Sequence, residues 1–400
     1  MKILLACSKY MPEYSGAGFR AHNLYKRLLA GNPDLILDIV CGSETENDCR
    51  KYEHDGFTVS RIACKQYLQL DSGITRRWQN LCNFHSENSE ASSYLAKMPA
   101  KPDLIHVFGQ NYLTVSVIDY AIKNRIPLLV ELVTDLESPF YYVPFPFKYW
   151  ISTRPLERFK FVCISEKLKA ACVRHGIHDA DIWCRPNPID EKRFKPVSQA
   201  EKISLRGKLT RFAAEDKVVS YIAKFRPSKN QKFLVEAMKI LPDNFKLLLK
   251  GPLVKEGPLA ERDNLFFNET KKLASSLGLD DRIQIEEGFC QDVQEYYQMS
   301  DAYAFPSTME GLGTPLLESI ACGVPVAANR IPGVTDTWIK VGETGYLSGL
   351  DPAEFAKSME ACTRLPKEKL AAGAAYISRT AGTGCLDREY LSIIKSLTGN

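Results

Sequence analysis

Residues 301–329, DAYAFPSTMEGLGTPLLESIACGVPVAAN, decide how the rest of the chain is read. The apolar run Ala302 to Phe305 predicts a strand, Pro306-Ser307 turns the chain, and Glu310 stands just before Gly311-Leu312-Gly313. Thr314-Pro315 predicts a helix start, with Glu318 in its first turns and Gly323 at its end. Pro325-Val326-Ala327-Ala328 begins the next strand. A helix N-terminus offers unpaired N–H groups and partial positive charge, which suits a phosphate. Carboxylates cannot bind that phosphate. They are placed to accept hydrogen bonds from hydroxyls, such as those of a ribose or a sugar, and a nucleotide-sugar is the simplest ligand needing both. Two glutamates eight apart mean little alone, because glutamate is frequent on solvated helix faces. The strand and the Gly-x-Gly helix start around them carry the inference. Thr314 is expected to cap the helix, with donation to a phosphate as its other role.

Outward from this segment, 400 residues with 45% hydrophobic content predict a soluble globular protein of two domains. The net charge is +4, and the surplus lies wholly in residues 1–200. That is too mild for a nucleic-acid protein with a dense basic face. It suits an acidic or lipid-linked acceptor near the first domain. Twelve cysteines are scattered without a C-x-x-C pair, so neither a disulfide framework nor a zinc site is expected. Cys7, Cys163 and Cys322 read as small buried hydrophobes. The start, MKILLACSKY, has an apolar run too short for a signal peptide, and no stretch approaches the length of a membrane span. The expected location is the cytoplasm, at most peripheral at the inner face of a membrane.

Two cycles of strands and helices are visible. The first begins at Lys2–Cys7, passes a loop with Ser15-Gly16-Ala17-Gly18, and enters a helix from Arg20 to Leu29. Apolar runs follow at Leu35–Val40, Phe57–Ile62, Leu104–Phe108, Pro127–Val133, Phe161–Ile164 and Asp181–Arg185. After a connector at 186–204, the second cycle runs through Val218–Ala223, Phe245–Lys250, Arg282–Ile285, Ala302–Phe305, Val324–Ala328 and Gly345–Ser348. Helices are expected near 353–363, 367–378 and 387–397. The pattern predicts an α/β fold of two doubly wound parallel sheets, with ligands at the carboxyl ends of the strands and a cleft between the domains. The boundaries expected are 1–195 and 196–380, with a helix at about 381–400 packing back on the first domain.

The string S-T-M-E-G-L-G-T-P-L-L-E-S-I-A-C-G-V-P-V resembles the E-x7-E signature of the retaining glycosyltransferases of family 4, which have the GT-B fold. Other segments resemble the family in order along nearly the whole chain. Tyr221 to Asn230 is similar to its G-R-L-x-P-x-K-N loop, whose Arg and Lys hold the donor diphosphate. Here those positions hold Lys224 and Lys229, and Ala223 stands for the Gly. Arg226 is the candidate to supply the bidentate fork that lysine lacks. Cations at a helix start are disfavoured by the helix dipole, so their presence calls for an anion nearby.

The resemblance implies that Glu318 binds the ribose hydroxyls and Glu310 a hydroxyl of the donor sugar, with backbone amides of Gly311, Leu312 and Gly313 along the sugar and phosphate. Gly16-Ala17-Gly18 occupies the place of the family's glycine loop, which closes over the donor phosphate. Pro186-Asn187-Pro188-Ile189-Asp190 with Phe194 resembles an architectural P-N-G-V-D element, with Pro188 for the Gly. The family's donor-site histidine is replaced by Thr134, beside Asp135. His106 reads as a satisfied core histidine. The aromatic and basic run Phe140 to Lys160 is a candidate membrane or acceptor contact, and equally a packed loop.

The function expected is transfer of a sugar from a UDP- or GDP-sugar to an acceptor hydroxyl of a glycan, a glycolipid or a small molecule, with retention. No cofactor and no metal are expected. The one D-x-D, Asp179-Ala180-Asp181, lies outside the candidate site, and Lys224, Lys229 and the helix start take the neutralising role. The alternatives are an epimerase or hydrolase acting on nucleotide-sugars, for which no acid/base set is assembled, and a non-catalytic binding module of the same fold.

Overall fold

The structure is a computed structural model describing all residues except 14, 44–47, 64–72, 112, 133–157, 254–258 and 400, together with the side chains of 73–77 and 80. The chain forms two compact units. One holds residues 1–164, 168–185 and 387–400; the other holds 165–167 and 186–386.

The first unit is built on eight strands: β1 (Lys2–Cys7), β2 (Ile36–Cys41), β3 (Arg50–His54), β4 (Phe57–Arg61), β5 (Leu104–Phe108), β6 (Leu128–Leu132), β7 (Phe159–Cys163) and β8 (Ile182–Cys184). Their order is β3-β4-β2-β1-β5-β6-β7-β8. β5 and β6 are buried along their whole length, as central parallel strands covered on both faces are. The sheet is not purely parallel as expected, because β3 pairs antiparallel with β4. The sequence RKYEH of β3 has no apolar alternation to announce it. Its signal is the turn that follows, Asp55-Gly56, where both residues take positive φ (50° and 82°) as a two-residue hairpin requires.

A buried polar network crosses this core. Glu131 on β6 accepts from the Tyr390 hydroxyl (2.5 Å), lies 3.3 Å from His106 Nε2, and takes a hydrogen bond from Arg185 (2.8 Å). His106 Nδ1 pairs with the Tyr25 hydroxyl at 2.7 Å. His106 is therefore a hydrogen-bonded core residue. Burial pulls the Arg185 guanidinium below its usual value, and Glu131 opposes that pull. Tyr390 belongs to the helix Thr383–Thr398, whose Tyr390 and Ile394 complete the apolar core around β1 and β2.

The second unit has six parallel strands: β9 (Lys217–Ile222), β10 (Phe245–Gly251), β11 (Ile283–Glu287), β12 (Ala302–Phe305), β13 (Val326–Asn329) and β14 (Gly345–Ser348). The order is β11-β10-β9-β12-β13-β14. Strand order reverses at β9 and β12. In a doubly wound sheet the loops leaving such a pair diverge to opposite faces and leave a crevice at the carboxyl ends. Among the described residues no helix is long and apolar enough to cross a membrane, and all described cysteines are free thiols.

Tyr390→Phe removes one hydrogen bond to a buried carboxylate and is expected to cost about 1.5 to 3 kcal/mol. Urea denaturation measures this; an unchanged midpoint would mean that the network contributes nothing to the C-terminal packing.

Candidate active site

The loops after β9 and β12 leave the two central strands side by side. Ala223 and Lys224 run against Gly251, where an added Cβ would lie 1.9 Å from the Ala223 carbonyl oxygen. Phe225 is buried edge-on against Phe267, with ring centroids 4.7 Å apart. Pro227–Lys229 then makes one 3-10 turn, and Asn230 at φ 58° opens the helix Gln231–Met238. Gln231 Nε2 donates to the Lys224 carbonyl at 2.9 Å.

The second loop is pinned from below. The Ser307 hydroxyl pairs with that of Tyr221 (2.8 Å), and its carbonyl accepts from Asn329 (2.9 Å). Two contacts join the loops. The Thr308 amide donates to the Ser228 carbonyl at 3.0 Å, and Lys229 Nζ donates to Glu310 Oε1 at 2.5 Å. This ion pair is mostly shielded, with the side chains 24% and 13% exposed. The anion that the cations of this loop call for is thus supplied by the protein itself.

Gly313 sits at φ 75°, and a Cβ there would meet Leu316 Cδ1 at 2.8 Å and Phe305 Cζ at 3.2 Å. Only glycine fits this turn. It is the N-cap of the helix Thr314–Ala321, and no side chain caps that end. The expectation that Thr314 caps the helix is corrected: it is the first helical residue, and its hydroxyl accepts from Asn187 Nδ2 at 2.8 Å. The amides of the first turn are therefore not consumed by a side-chain cap, which suits an anionic ligand.

Glu318 lies one turn further on, half-buried, with Oε2 accepting from the Tyr297 hydroxyl at 2.8 Å. Burial pushes its carboxyl up to about 7, against the Tyr297 hydrogen bond and the positive charge of Arg193. Tyr297, Arg193 and Asn187 were not among the sequence candidates. Tyr297 lies in the six-residue helix Val293–Gln298, which offers no motif, whereas Asn187 was visible only within the P-N-P-I-D element.

Lys229, Glu310, Gly311, Leu312, Gly313, Thr314 and Glu318 thus meet in one unit at the switch point. Lys224 is exposed beside them. Arg226 is held differently: its guanidinium lies 3.6 Å from the buried Asp263 carboxylate, which also accepts from Arg262. Gly16, Ala17 and Gly18 lie in the other unit. They are not a loop as expected but the first turn of the helix Gly16–Gly31, capped by Ser15. Gly18 has a structural reason to be glycine, since a Cβ would lie 2.4 Å from the Lys9 carbonyl oxygen. Thr134, Asp135 and residues 140–157 lie outside the described residues. Asp179 and Asp181 are ion-paired with Lys169 (2.9 Å) and Lys160 (3.0 Å).

Residues 208–375 match the family described as Glycosyl transferases group 1. The chain is 31% identical over 202 residues to a D-inositol 3-phosphate glycosyltransferase from Mycolicibacterium vanbaalenii, covering 48% of this chain and 41% of the relative. It is 24% identical over 348 residues to a protein of the same name from Thermobispora bispora, covering 83% and 78%. For several curated relatives, as for the first of these, the chain spans under half of their length. Among solved structures, HepE of Anabaena in complex with UDP superposes with a TM-score of 0.75 at 18% identity, over 99% of this chain and 100% of that one. HepE has also been solved with UDP-glucose.

The fold is GT-B, and the segment that matches the group 1 glycosyl transferases lies within the second unit.

The raised Glu318 carboxyl sets a pH dependence. A carboxyl that holds its proton more tightly when folded loses stability as pH rises from the unfolded value near 4.5 to about 7, and no further above that. Glu318→Gln mimics the protonated form, so its stability relative to the parent should grow between pH 5 and 7 and then level off. Thermal melts across that range check this; a difference independent of pH would place the Glu318 carboxyl in its ordinary range.

Proposed function

We propose that the chain is a metal-independent, retaining glycosyltransferase that moves a sugar from a nucleoside-diphosphate sugar to an acceptor hydroxyl. The observation that carries this reading is the Lys229–Glu310 pair beside the uncapped start of the helix Thr314–Ala321. A lysine ammonium has three donors. One is used on Glu310, and the others remain for diphosphate oxygens, with the helix amides of Gly313 and Thr314 opposite. Glu310 then faces the sugar attached to that diphosphate, and Glu318, held by Tyr297, accepts from the ribose. Lys224 adds a second positive charge at the mouth of the site. UDP, the nucleotide held by HepE, is the first to test.

In the reaction the bond from the anomeric carbon to the diphosphate breaks as the bond to the acceptor oxygen forms on the same face. The acceptor proton passes to the leaving phosphate oxygen. The protein contributes preorganised positive charge where the leaving group becomes more negative. No protein nucleophile enters this scheme. The acceptor proposed is a hydroxyl of a glycan or glycolipid on the cytoplasmic side of a membrane.

Lys229→Ala should lower turnover about 10²- to 10³-fold with the fold retained, as loss of one preorganised charge-stabilising donor does. Initial rates with a UDP-sugar and an acceptor, beside a circular dichroism spectrum, read this out; near-parental turnover would remove Lys229 from the mechanism. Dialysis against EDTA should leave the parental rate unchanged. A loss restored by Mg²⁺ or Mn²⁺ would show that a metal supplies the neutralising charge.

A further inference from the structure

At the amino-terminal edge of the first unit's sheet, opposite the carboxyl ends of its strands, lies a cavity that the proposed reaction does not use. It measures about 500 Å³ and opens to solvent. Its lining includes Lys101 and Asp103 ahead of β5, Arg125 ahead of β6, Arg158 ahead of β7, and residues 396–399 at the end of the helix Thr383–Thr398. All of these belong to the first unit. The three cations thus stand at the starts of three neighbouring strands. Among the described residues none of them is ion-paired with a carboxylate.

Arg125 sits where a side chain is least welcome. The helix Leu113–Asn124 closes with the Ile126 amide donating to the Ala121 carbonyl (2.9 Å) and the Arg125 amide to the Ile122 carbonyl (3.2 Å). In that closing motif the residue at the Arg125 position turns left-handed and is usually glycine. Arg125 does so at φ 54°, a conformation costly for any residue with a Cβ. Its carbonyl accepts from Arg158 Nη1 at 2.8 Å, which fixes one guanidinium against the turn that carries the other. Two like charges brought to one cavity repel unless an anion joins them. A merely solvated patch requires neither the strained arginine nor the bond that holds its neighbour.

We propose that this cavity binds a phosphate group flanked by hydroxyls, carried by a free polyol phosphate or by a lipid headgroup. Lys101, Arg125 and Arg158 take the phosphate oxygens, the guanidinium groups as planar forks and the ammonium as a point charge. Arg158 spends only Nη1 on the turn and keeps its other donors. The rest of the lining accepts. The last carbonyls of the helix Thr383–Thr398 lack intrahelical partners. Asp103 Oδ2 takes the Lys2 amide at 2.8 Å, and its second oxygen remains an acceptor. Carbonyls and a carboxylate repel a bare phosphate but accept from hydroxyls, so a phosphorylated polyol fits better than inorganic phosphate. Nothing in this site depends on the donor reading of the second unit.

The test is amide hydrogen exchange of residues 123–128 in the full chain, titrated with glycerol 3-phosphate, inorganic phosphate or phosphatidylglycerol vesicles. The readout is the probe concentration that gives half-protection. Arg125→Gly removes one guanidinium and gives the turn the residue it favours, so its melting temperature should equal or exceed the parent's. Arg158→Gln removes the second guanidinium. Each substitution should raise the half-protecting concentration about tenfold or more, as loss of a charge-assisted hydrogen bond does. Glycerol 3-phosphate should act at lower concentration than inorganic phosphate. Lys229→Ala, in the other unit, should leave the protection of 123–128 unchanged.

Protection by the soluble probe supports the site with a free polyol phosphate as its ligand, and protection by vesicles alone supports it with a lipid headgroup. Equal half-protecting concentrations in the parent and Arg125→Gly overturn the site, as does the lack of protection by any of the three probes at millimolar phosphate. Inorganic phosphate as effective as glycerol 3-phosphate overturns the hydroxyl-accepting role of Asp103 and the helix end.

Discussion

The ammonium of Lys229 against the carboxylate of Glu310 is the contact on which the second unit's site depends. It joins the loop after β9 to the loop after β12 where the sheet reverses direction, and the Thr308–Ser228 backbone bond runs alongside it. Neither side chain is free to roam, because each loop is anchored beneath by buried groups. Phe225 anchors one loop and the Ser307–Tyr221 pair the other. A shielded charge needs a partner, and each of these two satisfies the other until a ligand arrives. The resting site is thus electrically neutral at its centre, with a spare set of lysine donors and uncapped helix amides at its edge. On the proposed function, a diphosphate joins there without first evicting a competing side chain.

Glu318 adds a second constraint of a different kind. Its carboxyl is held up near neutrality by burial, so near pH 7 it is poised between two forms. The ionised form accepts two hydroxyl hydrogen bonds; the neutral form both accepts and donates. Tyr297 fixes one oxygen, and in the proposed function the other accepts from the ribose. The two glutamates therefore do unlike work from similar surroundings. Glu310 is tied to a cation, whereas Glu318 is tied to a phenol.

Much of this was legible in the sequence, for identifiable reasons. β5 and β12 fall where apolar runs bounded by turn residues placed them, because strands buried on both faces are apolar through nearly all their length. Gly313 announced itself because only glycine takes that turn without a clash. β3 was missed because an edge strand needs no apolar face, and RKYEH has none. Gly16-Ala17-Gly18 read as a loop because glycines weaken a helix pattern, while the reason for Gly18 is a carbonyl nine residues upstream in the chain. Pairing was the least visible part. Lys229 meets Glu310 across 81 residues, and Thr314 meets Asn187 across 127, distances at which no local pattern speaks. Lysines at a helix start call for an anion, and for Lys229 the protein's own Glu310 carboxylate is one.

In the proposed function Lys229 reads the terminal phosphate of a nucleoside diphosphate. Isothermal calorimetry of UDP and UMP with the parent chain and with Lys229→Ala closes a thermodynamic cycle on that one contact. The parent should prefer UDP over UMP by about tenfold or more, equivalent to about 1.4 kcal/mol, and the substitution should abolish the preference while leaving UMP binding nearly unchanged. An equal preference for UDP in both proteins would contradict it.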